Sequence, residues 1–176
     1  MRFEAQVMPH LDAAYRFARW LTHSAADADD IVQDAILRAY RGFEGLRGTD
    51  VRSWLFTIVR NCHASAYQLQ KRRAAVPLPE ESDAQDGHVM VTAEPDPETA
   101  SILQDEERTF ERLLAGLSQE HREVLALREI EEMSYRDIAA LTGLPVGTVM
   151  SRLARARSAL KQLWLAQTEG ALSGVR

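Results

Sequence analysis

Apolar residues recur along this chain at the three- and four-residue spacing of amphipathic helices, and no stretch alternates strictly as a half-buried strand would. The pattern therefore predicts an all-α protein. We expect a first helix across residues 3–21, a second that begins at Ser24, a third capped by Asp50, a further basic helix over 62–73, and two more near 101–116 and 119–130.

The segment from Ser134 to Arg157 has the pattern of two short helices joined by a tight turn. Ser134 can cap the first helix, with Asp137 three residues later, and Gly143 can end it in the left-handed conformation. We expect Thr148 to open the second helix, whose apolar residues repeat at helical spacing while its arginines fall largely elsewhere. This is the layout of a helix-turn-helix, whose second helix usually enters the DNA major groove. An ordinary helical hairpin with solvated arginines is the alternative.

The net charge of -5 hides three blocks of different character. Residues 1–75 carry a net charge of +3, residues 76–107 a net charge of -10 with no Lys or Arg, and residues 108–176 a net charge of +2. Prolines without periodicity and a strong excess of like charge predict a flexible linker in the middle block. The chain is therefore expected to form two small helical domains, with boundaries near residues 74 and 100.

The composition also limits the classes of function. One cysteine, Cys62, excludes an internal disulfide and a cysteine-based zinc site, and the five histidines show no metal-ligand spacing. No apolar run approaches the ~20 residues of a membrane span, and the N-terminus lacks the apolar core of a signal peptide. We expect a cytoplasmic protein without cofactor, metal or catalytic residues, in which the acidic run Glu129–Glu132 is solvated.

Two residue sets stand out in the first block. If Ile31 and Ala35 are buried, then Asp30, Gln33 and Asp34 share an exposed side of the second helix, and we call these three residues the acidic stripe. Acidic residues near a helix N-terminus also complement the helix dipole, which is the alternative explanation.

The second set combines an aromatic helix with a basic one. Trp54, Arg60 and Asn61 lead into the run Lys71–Arg73. Single-stranded nucleic acid is bound in this way, because aromatic faces stack on bases while Arg and Lys follow the phosphates. Burial of Trp54 in the core is an equally good interpretation of that residue.

In this order and at this spacing, these sets and the helix-turn-helix resemble the extracytoplasmic-function family of bacterial RNA polymerase sigma factors. The match covers nearly the whole chain, with a sigma-2 domain over residues 1–75, an acidic linker over 76–104 and a sigma-4 domain over 105–170. The resemblance implies a factor that binds core RNA polymerase, recognises the -35 and -10 promoter elements and helps to melt the -10 region. It implies as partners the β′ coiled coil and the β flap of the polymerase, promoter DNA and an anti-sigma factor.

The resemblance also implies a role for each residue set. The acidic stripe matches the surface that grips the β′ coiled coil, which favours an interface over a dipole effect. Arg60-Asn61 matches the motif beside the loop that captures a flipped base of the -10 element, and an asparagine amide can both donate and accept hydrogen bonds to a base edge. The implied -10 set is Trp54, Arg60, Asn61, Lys71, Arg72 and Arg73. The implied -35 set is Thr148, Met150, Ser151, Arg152 and Arg155.

Some positions depart from the family pattern. Met150 replaces a common arginine, and methionine cannot make the bidentate contact of arginine with guanine. Ser65 and Gln68 stand where the family often has Asp and Arg. These departures leave room for a sigma-like decoy that sequesters an anti-sigma factor, and a conventional duplex-DNA regulator is a second alternative. The acidic linker is either a solvated tether or a mimic of nucleic acid near the RNA path of the polymerase.

Overall fold

A computed structural model of the chain describes residues 2–46, 50–74 and 97–173, with the backbone alone at residues 73, 74, 97–105 and 169–173. Every regular element in these ranges is helical, as the sequence pattern predicts. The α-helices are α1 (Arg2–Val7), α2 (Leu11–Thr22), α3 (Ala25–Gly42), α4 (Val51–Ala74), α5 (Pro97–Ala115), α6 (Gln119–Leu125), α7 (Tyr135–Thr142) and α8 (Val146–Ser173). Most of the predicted acidic linker, up to residue 96, lies outside the described residues.

Helices α1–α4 form an N-terminal unit around a core in which the rings of Phe17 and Phe56 lie 5.2 Å apart. Ser24 caps α3 as predicted, because its hydroxyl accepts a hydrogen bond from the backbone N–H of Asp27. Asp50 likewise accepts from the N–H of Ser53 over 3.0 Å at the start of α4.

Two predictions about helix boundaries in this unit are wrong. The expected first helix is divided into α1 and α2 by a 3-10 turn, Met8–His10, since the central proline of that turn has no N–H to continue the α-helix. The expected third helix and the basic helix are one continuous helix, α4, because no residue between 51 and 74 breaks it.

Helices α5–α8 form a C-terminal unit. The predicted capping residue Ser134 accepts a hydrogen bond from the N–H of Asp137 over 3.1 Å, and Gly143 ends α7 with φ +74°. Helix α8 begins at Val146, directly after Pro145, and not at Thr148 as predicted. Its buried residues are Val149, Leu153 and Ala156, which confirms the predicted core side.

A π-helical turn, Ala126–Ile130, continues α6. The N–H of Glu131 donates to the backbone oxygen of Ala126, five residues earlier, over 3.0 Å. Glu132 follows with φ +54°, in the left-handed region, and the chain then turns toward α7. The position of Glu131 is therefore set by a turn that is wider than an α-helical one.

The two units pack directly against each other, which the expectation of two domains on a flexible linker did not include. α2 lies against α6, and α4 lies against α7. Trp20 of α2 and Phe110 of α5 meet edge to face, with ring centroids 5.7 Å apart. The buried Arg122 of α6 donates from Nε to the backbone oxygen of Leu21 in α2 over 3.2 Å. One apolar core thus runs through both units.

Candidate nucleic-acid and protein interfaces

The acidic stripe lies on α3, on the side that faces away from the buried Ile31 and Ala35. Asp30 and Gln33 are exposed, and Asp34 is half-buried. Arg38 binds Asp34 over 2.8 Å, and its hydrogen bonds hold the pKa of this carboxyl below the usual range. The stripe therefore presents carboxylate and amide groups to solvent along about one and a half turns of α3.

Two apolar side chains extend this face of α3 toward its C-terminal end. Leu37 is 57% exposed and Tyr40 is 67% exposed, although the ring of Tyr40 also meets Phe3 edge to face. The sequence analysis did not predict that these two side chains are exposed, because apolar residues at helical spacing are typical of the buried side of a helix. An exposed apolar group beside an acidic stripe is typical of a protein-binding surface.

On α4, the residues expected to bind the -10 element differ in exposure. Asn61 is exposed, as are Lys71 and Arg72. The side chain of Arg73 lies outside the described residues. Trp54 is half-buried, and its ring lies 6.4 Å from that of Phe43, so it packs against the core while keeping part of its surface accessible.

Arg60, the neighbour of Asn61, contacts the other unit. Its Nε donates to Oε1 of Glu123 on α6, and the Glu123 carboxylate is largely buried. Arg60 is therefore engaged by a carboxylate in this structure, whereas Asn61 faces solvent. Two further residues of α4 that follow them, Cys62 and His63, are buried.

Burial changes the chemistry of both residues. It raises the pKa of the Cys62 thiol to about 11, so the reactive thiolate is scarce at neutral pH. It lowers the pKa of His63 to about 4, and the positive charge of Arg122 contributes to this effect. Nδ1 of His63 lies 3.4 Å from the side-chain nitrogen of Gln119, so this histidine is part of the contact between the two units.

The predicted recognition helix, α8, presents part of the expected -35 set. Met150 is 52% exposed, Ser151 and Arg155 are exposed, and Thr148 is half-buried. The side chain of Arg152 is only 17% exposed, and it pairs over 3.1 Å with Glu120 of α6, which is 67% exposed. The first turns of α8 can therefore enter a groove, with Arg152 held back by an acidic partner.

A buried carboxylate at the contact between the units belongs to a residue that the sequence did not single out. Glu131 is buried, so the prediction that Glu129–Glu132 is solvated is wrong at this position. Its carboxylate binds Arg16 of α2 and Arg52 of α4. No signal in the sequence identifies this pairing, because the partners lie 115 and 79 residues away.

Two general features of the described residues bear on function. They contain no group of three or more His, Cys, Asp or Glu side chains placed to hold a metal ion. Within the same ranges, no helix combines the length and the apolar character that a membrane crossing requires.

Comparison with known protein families supports the sequence resemblance. Residues 6–73 match the family model for sigma-70 region 2, and residues 107–160 match that for sigma-70, region 4. The extracytoplasmic-function (ECF) sigma factor EcfG of Rhodopseudomonas palustris is 39% identical over 148 residues, which cover 84% of this chain and 76% of that protein. The sigma-E factor of Escherichia coli K12 is 31% identical over 140 residues, which cover 77% and 73%.

Two solved structures are similar to this one over most of the chain. The sigma factor RpoE of Bartonella quintana, solved in complex with the anti-sigma factor NepR, is 27% identical. It superposes with a TM-score of 0.70 over 93% of this chain and 96% of that one. CnrH, solved in complex with the cytosolic domain of CnrY, is 28% identical, with a TM-score of 0.66 over 93% and 88%.

Proposed function

The chain belongs to the extracytoplasmic-function group of sigma-70 RNA polymerase sigma factors, and on this premise we propose how its surfaces divide the work of promoter recognition. As a sigma factor it binds core RNA polymerase and directs transcription initiation at specific promoters. We assign it no reaction of its own, since RNA synthesis is the chemistry of the polymerase. A factor that acts on chromosomal DNA works in the cytoplasm.

The acidic stripe binds the β′ coiled coil of core polymerase in this proposal. Asp30 and Gln33 are exposed, and the ionised Asp34 adds a second carboxylate to the same face. Leu37 and Tyr40 supply exposed apolar area next to these polar groups. A polar stripe beside apolar anchors is the composition of a stable protein interface.

The exposed part of α4 holds the melted strand of the -10 element. Asn61 reads the edge of a flipped base, and Lys71 and Arg72 bind phosphates along the strand. Arg60, Trp54 and Arg73 complete this set in our proposal. Extraction of one base costs a few kcal/mol, so the phosphate contacts are needed to offset it.

The first turns of α8 read the -35 element in the major groove, and the C-terminal unit also meets the β flap. Ser151 and Arg155 are exposed, and in this proposal the exposed Met150 faces the same major groove. Thr148 and Arg152 belong to this surface, the latter after release from Glu120. The observation that carries the proposal is that each of the three sets has an exposed part on a helix whose opposite side is in the core: Asp30 and Gln33 on α3, Asn61, Lys71 and Arg72 on α4, and Met150, Ser151 and Arg155 on α8.

The proposed functional unit includes a regulator. Two structures that resemble this chain are a sigma factor bound to the anti-sigma factor NepR and CnrH bound to CnrY. We propose that a protein of the anti-sigma class likewise holds this factor until a signal releases it.

Run-off transcription from a promoter library with purified bacterial core polymerase tests the proposal. We expect transcripts that depend on the protein and share -35 and -10 sequences. Changing Gln33 and Asp34 to alanine should abolish assembly with core polymerase, whereas Asp12→Ala, at an exposed acid on α2, should not. Assembly of the double variant at wild-type affinity would place the interface elsewhere.

A second variant separates DNA melting from polymerase binding. Asn61→Ala should weaken promoter melting more than it weakens core binding, because its amide contacts DNA alone. Gln70→Ala, another exposed amide on α4, is the matched control. Equal losses of melting and of core binding in Asn61→Ala would refute the role that we assign to this residue. Core binding without any transcripts would favour the decoy.

A further inference from the structure

Glu131 is the centre of the contact between the two units, and its side chain is 0% exposed. Nε of Arg16 donates to Oε1 over 3.1 Å, and Nη2 of Arg52 donates to Oε2 over 2.6 Å. The same Nη2 also donates to the backbone oxygen of Glu131 over 2.8 Å. Both arginines belong to the N-terminal unit, so a carboxylate of the C-terminal unit is enclosed by cations of the other unit.

The same polarity recurs at two further places along the contact. Arg60 donates to the largely buried Glu123. Arg19 binds Glu107 over 3.1 Å and Glu111 over 3.4 Å. In each of these pairs the arginine comes from the N-terminal unit and the glutamate from the C-terminal unit. The C-terminal unit therefore offers a row of carboxylates to a basic surface.

That basic surface overlaps the one that the proposed function gives to DNA. Arg60 belongs to the proposed -10 set, and Arg52 lies two helical turns earlier on the same helix. Arginine binds carboxylates and phosphates with the same planar fork of donors, so one surface can accept either group. In this structure, carboxylates occupy Arg52 and Arg60, which phosphates of the strand would otherwise bind, while Asn61, Lys71 and Arg72 stay exposed.

The closed arrangement also conflicts with the geometry of a promoter. Arg60 binds Glu123 and Arg152 binds Glu120, one turn apart on α6, so the backbones of the two arginines lie within roughly 35 Å of each other. By their names, the -35 and -10 elements are separated by about 25 base pairs, or about 85 Å of B-form DNA. The two units must separate before both elements can be bound.

From these contacts we infer that the C-terminal unit acts as an internal DNA mimic, which docks on the -10 surface and keeps the factor closed. All the groups that hold it belong to this chain, with Glu123 and Glu131 as the principal carboxylates. DNA phosphates and these carboxylates compete for Arg52 and Arg60. The inference rests on the proposed function, because that function places the -10 strand on α4.

The test uses the full-length chain with the changes Glu123→Gln and Glu131→Gln. The matched control is Glu129→Gln with Glu132→Gln, which removes the same charge from exposed side chains that do not bridge the units. Donor and acceptor dyes on cysteines introduced at two exposed positions, one in each unit, report the separation by energy transfer. The native Cys62 is buried, and its raised pKa keeps it from labelling.

We expect the wild-type chain to be closed and the double variant to be extended, with far-UV circular dichroism unchanged. The variant should also bind a labelled 20-nucleotide single-stranded DNA about tenfold more tightly or more, since loss of a buried charge pair usually exceeds a tenfold effect. As a test that needs no substitution, about 1 M NaCl, where the screening length is about 3 Å, should open the wild-type chain.

Three results would overturn the inference: a wild-type chain that is already extended, a double variant that stays closed, or a control variant that opens as far as the double variant. Failure of the proposed function is recognised separately, by run-off transcription with core polymerase. Transcription by a chain whose unit separation never changes would refute the internal mimic alone. If the double variant opens but neither it nor the wild-type chain supports transcription, the sigma-factor role is refuted and the inference about the contact between the units still stands.

Discussion

Arg122→Met should strongly destabilise the folded chain, because Arg122 joins the C-terminal ends of two helices, α2 and α5. Its guanidinium donates to the backbone oxygens of Leu21, Leu114 and Leu117 over 3.2, 2.9 and 2.6 Å. The oxygens of Leu21 and Leu114 lie in the last turns of α2 and α5, where carbonyl groups lack partners within their helices, and that of Leu117 lies in the turn after α5. A buried cation at two helix C-termini also opposes their negative dipole ends.

The expected magnitude follows from these three bonds. A hydrogen bond to a charged group contributes about 1.5–3 kcal/mol, so three of them contribute about 5–9 kcal/mol at most. Methionine fills much of the space of the arginine stem, and burial already opposes the charged form, since it lowers the pKa of Arg122. We therefore expect a net loss of about 3–5 kcal/mol, a large part of the ~5–15 kcal/mol of a typical protein.

Urea unfolding followed by far-UV circular dichroism measures this loss. Arg112→Met is the matched control, because Arg112 is exposed and donates to groups of its own helix. The control should change the free energy of unfolding by less than about 0.5 kcal/mol. If Arg122→Met loses less than about 1 kcal/mol, the carbonyl contacts are not what holds these helix ends, and the reasoning fails.

Three further predictions concern single residues. The pKa of His63 is about 4 in the fold and about 6.5 when unfolded, so stability should be complete above about pH 6.5 and fall by about 1.4 kcal/mol per pH unit toward pH 4. His63→Gln should flatten that part of a pH series of urea curves; an unchanged slope would contradict the assignment. Met150→Arg should add a preference of about 1–3 kcal/mol for guanine at one position of the -35 element. Selection of bound sequences from a randomised -35 element measures this preference, and an unaltered consensus would place residue 150 outside the groove. Leu153→Ala should lower the free energy of unfolding by about 2–5 kcal/mol, while the exposed Ala154→Ser should leave it nearly unchanged, and equal effects would mean that the core side of α8 is misassigned.

Local features of the fold were predictable because they depend on neighbouring residues. The caps at Ser24, Asp50 and Ser134 and the helix end at Gly143 each need only a few residues of sequence. The acidic stripe was placed correctly on an exposed face because Ile31 and its neighbours define the buried side of α3. A change from apolar to basic composition within α4 was mistaken for a helix boundary.

The contact between the units was not predictable in the same way. Glu131 lies in an acidic run that looks solvated, and its burial depends on arginines in distant helices. Arg122 likewise resembles a surface residue of an amphipathic helix until the end of α2 is placed beside it. Long-range pairs of charges leave no periodic signal, so sequence pattern alone predicts two independent units where the structure has one continuous core.

The π-helical turn before Glu131 has a consequence for how such a factor evolves. A turn of this kind contains one residue more than an α-helical turn, and loss of one codon would rotate the chain beyond the turn by about 100° about the helix axis. Glu131 would then leave its two arginines, and α7 and α8, which pack against this turn and α6, would shift as well. The length of this one turn therefore links the two units: a change of a single residue in it would uncouple them without any substitution at Arg16, Arg52 or Glu131.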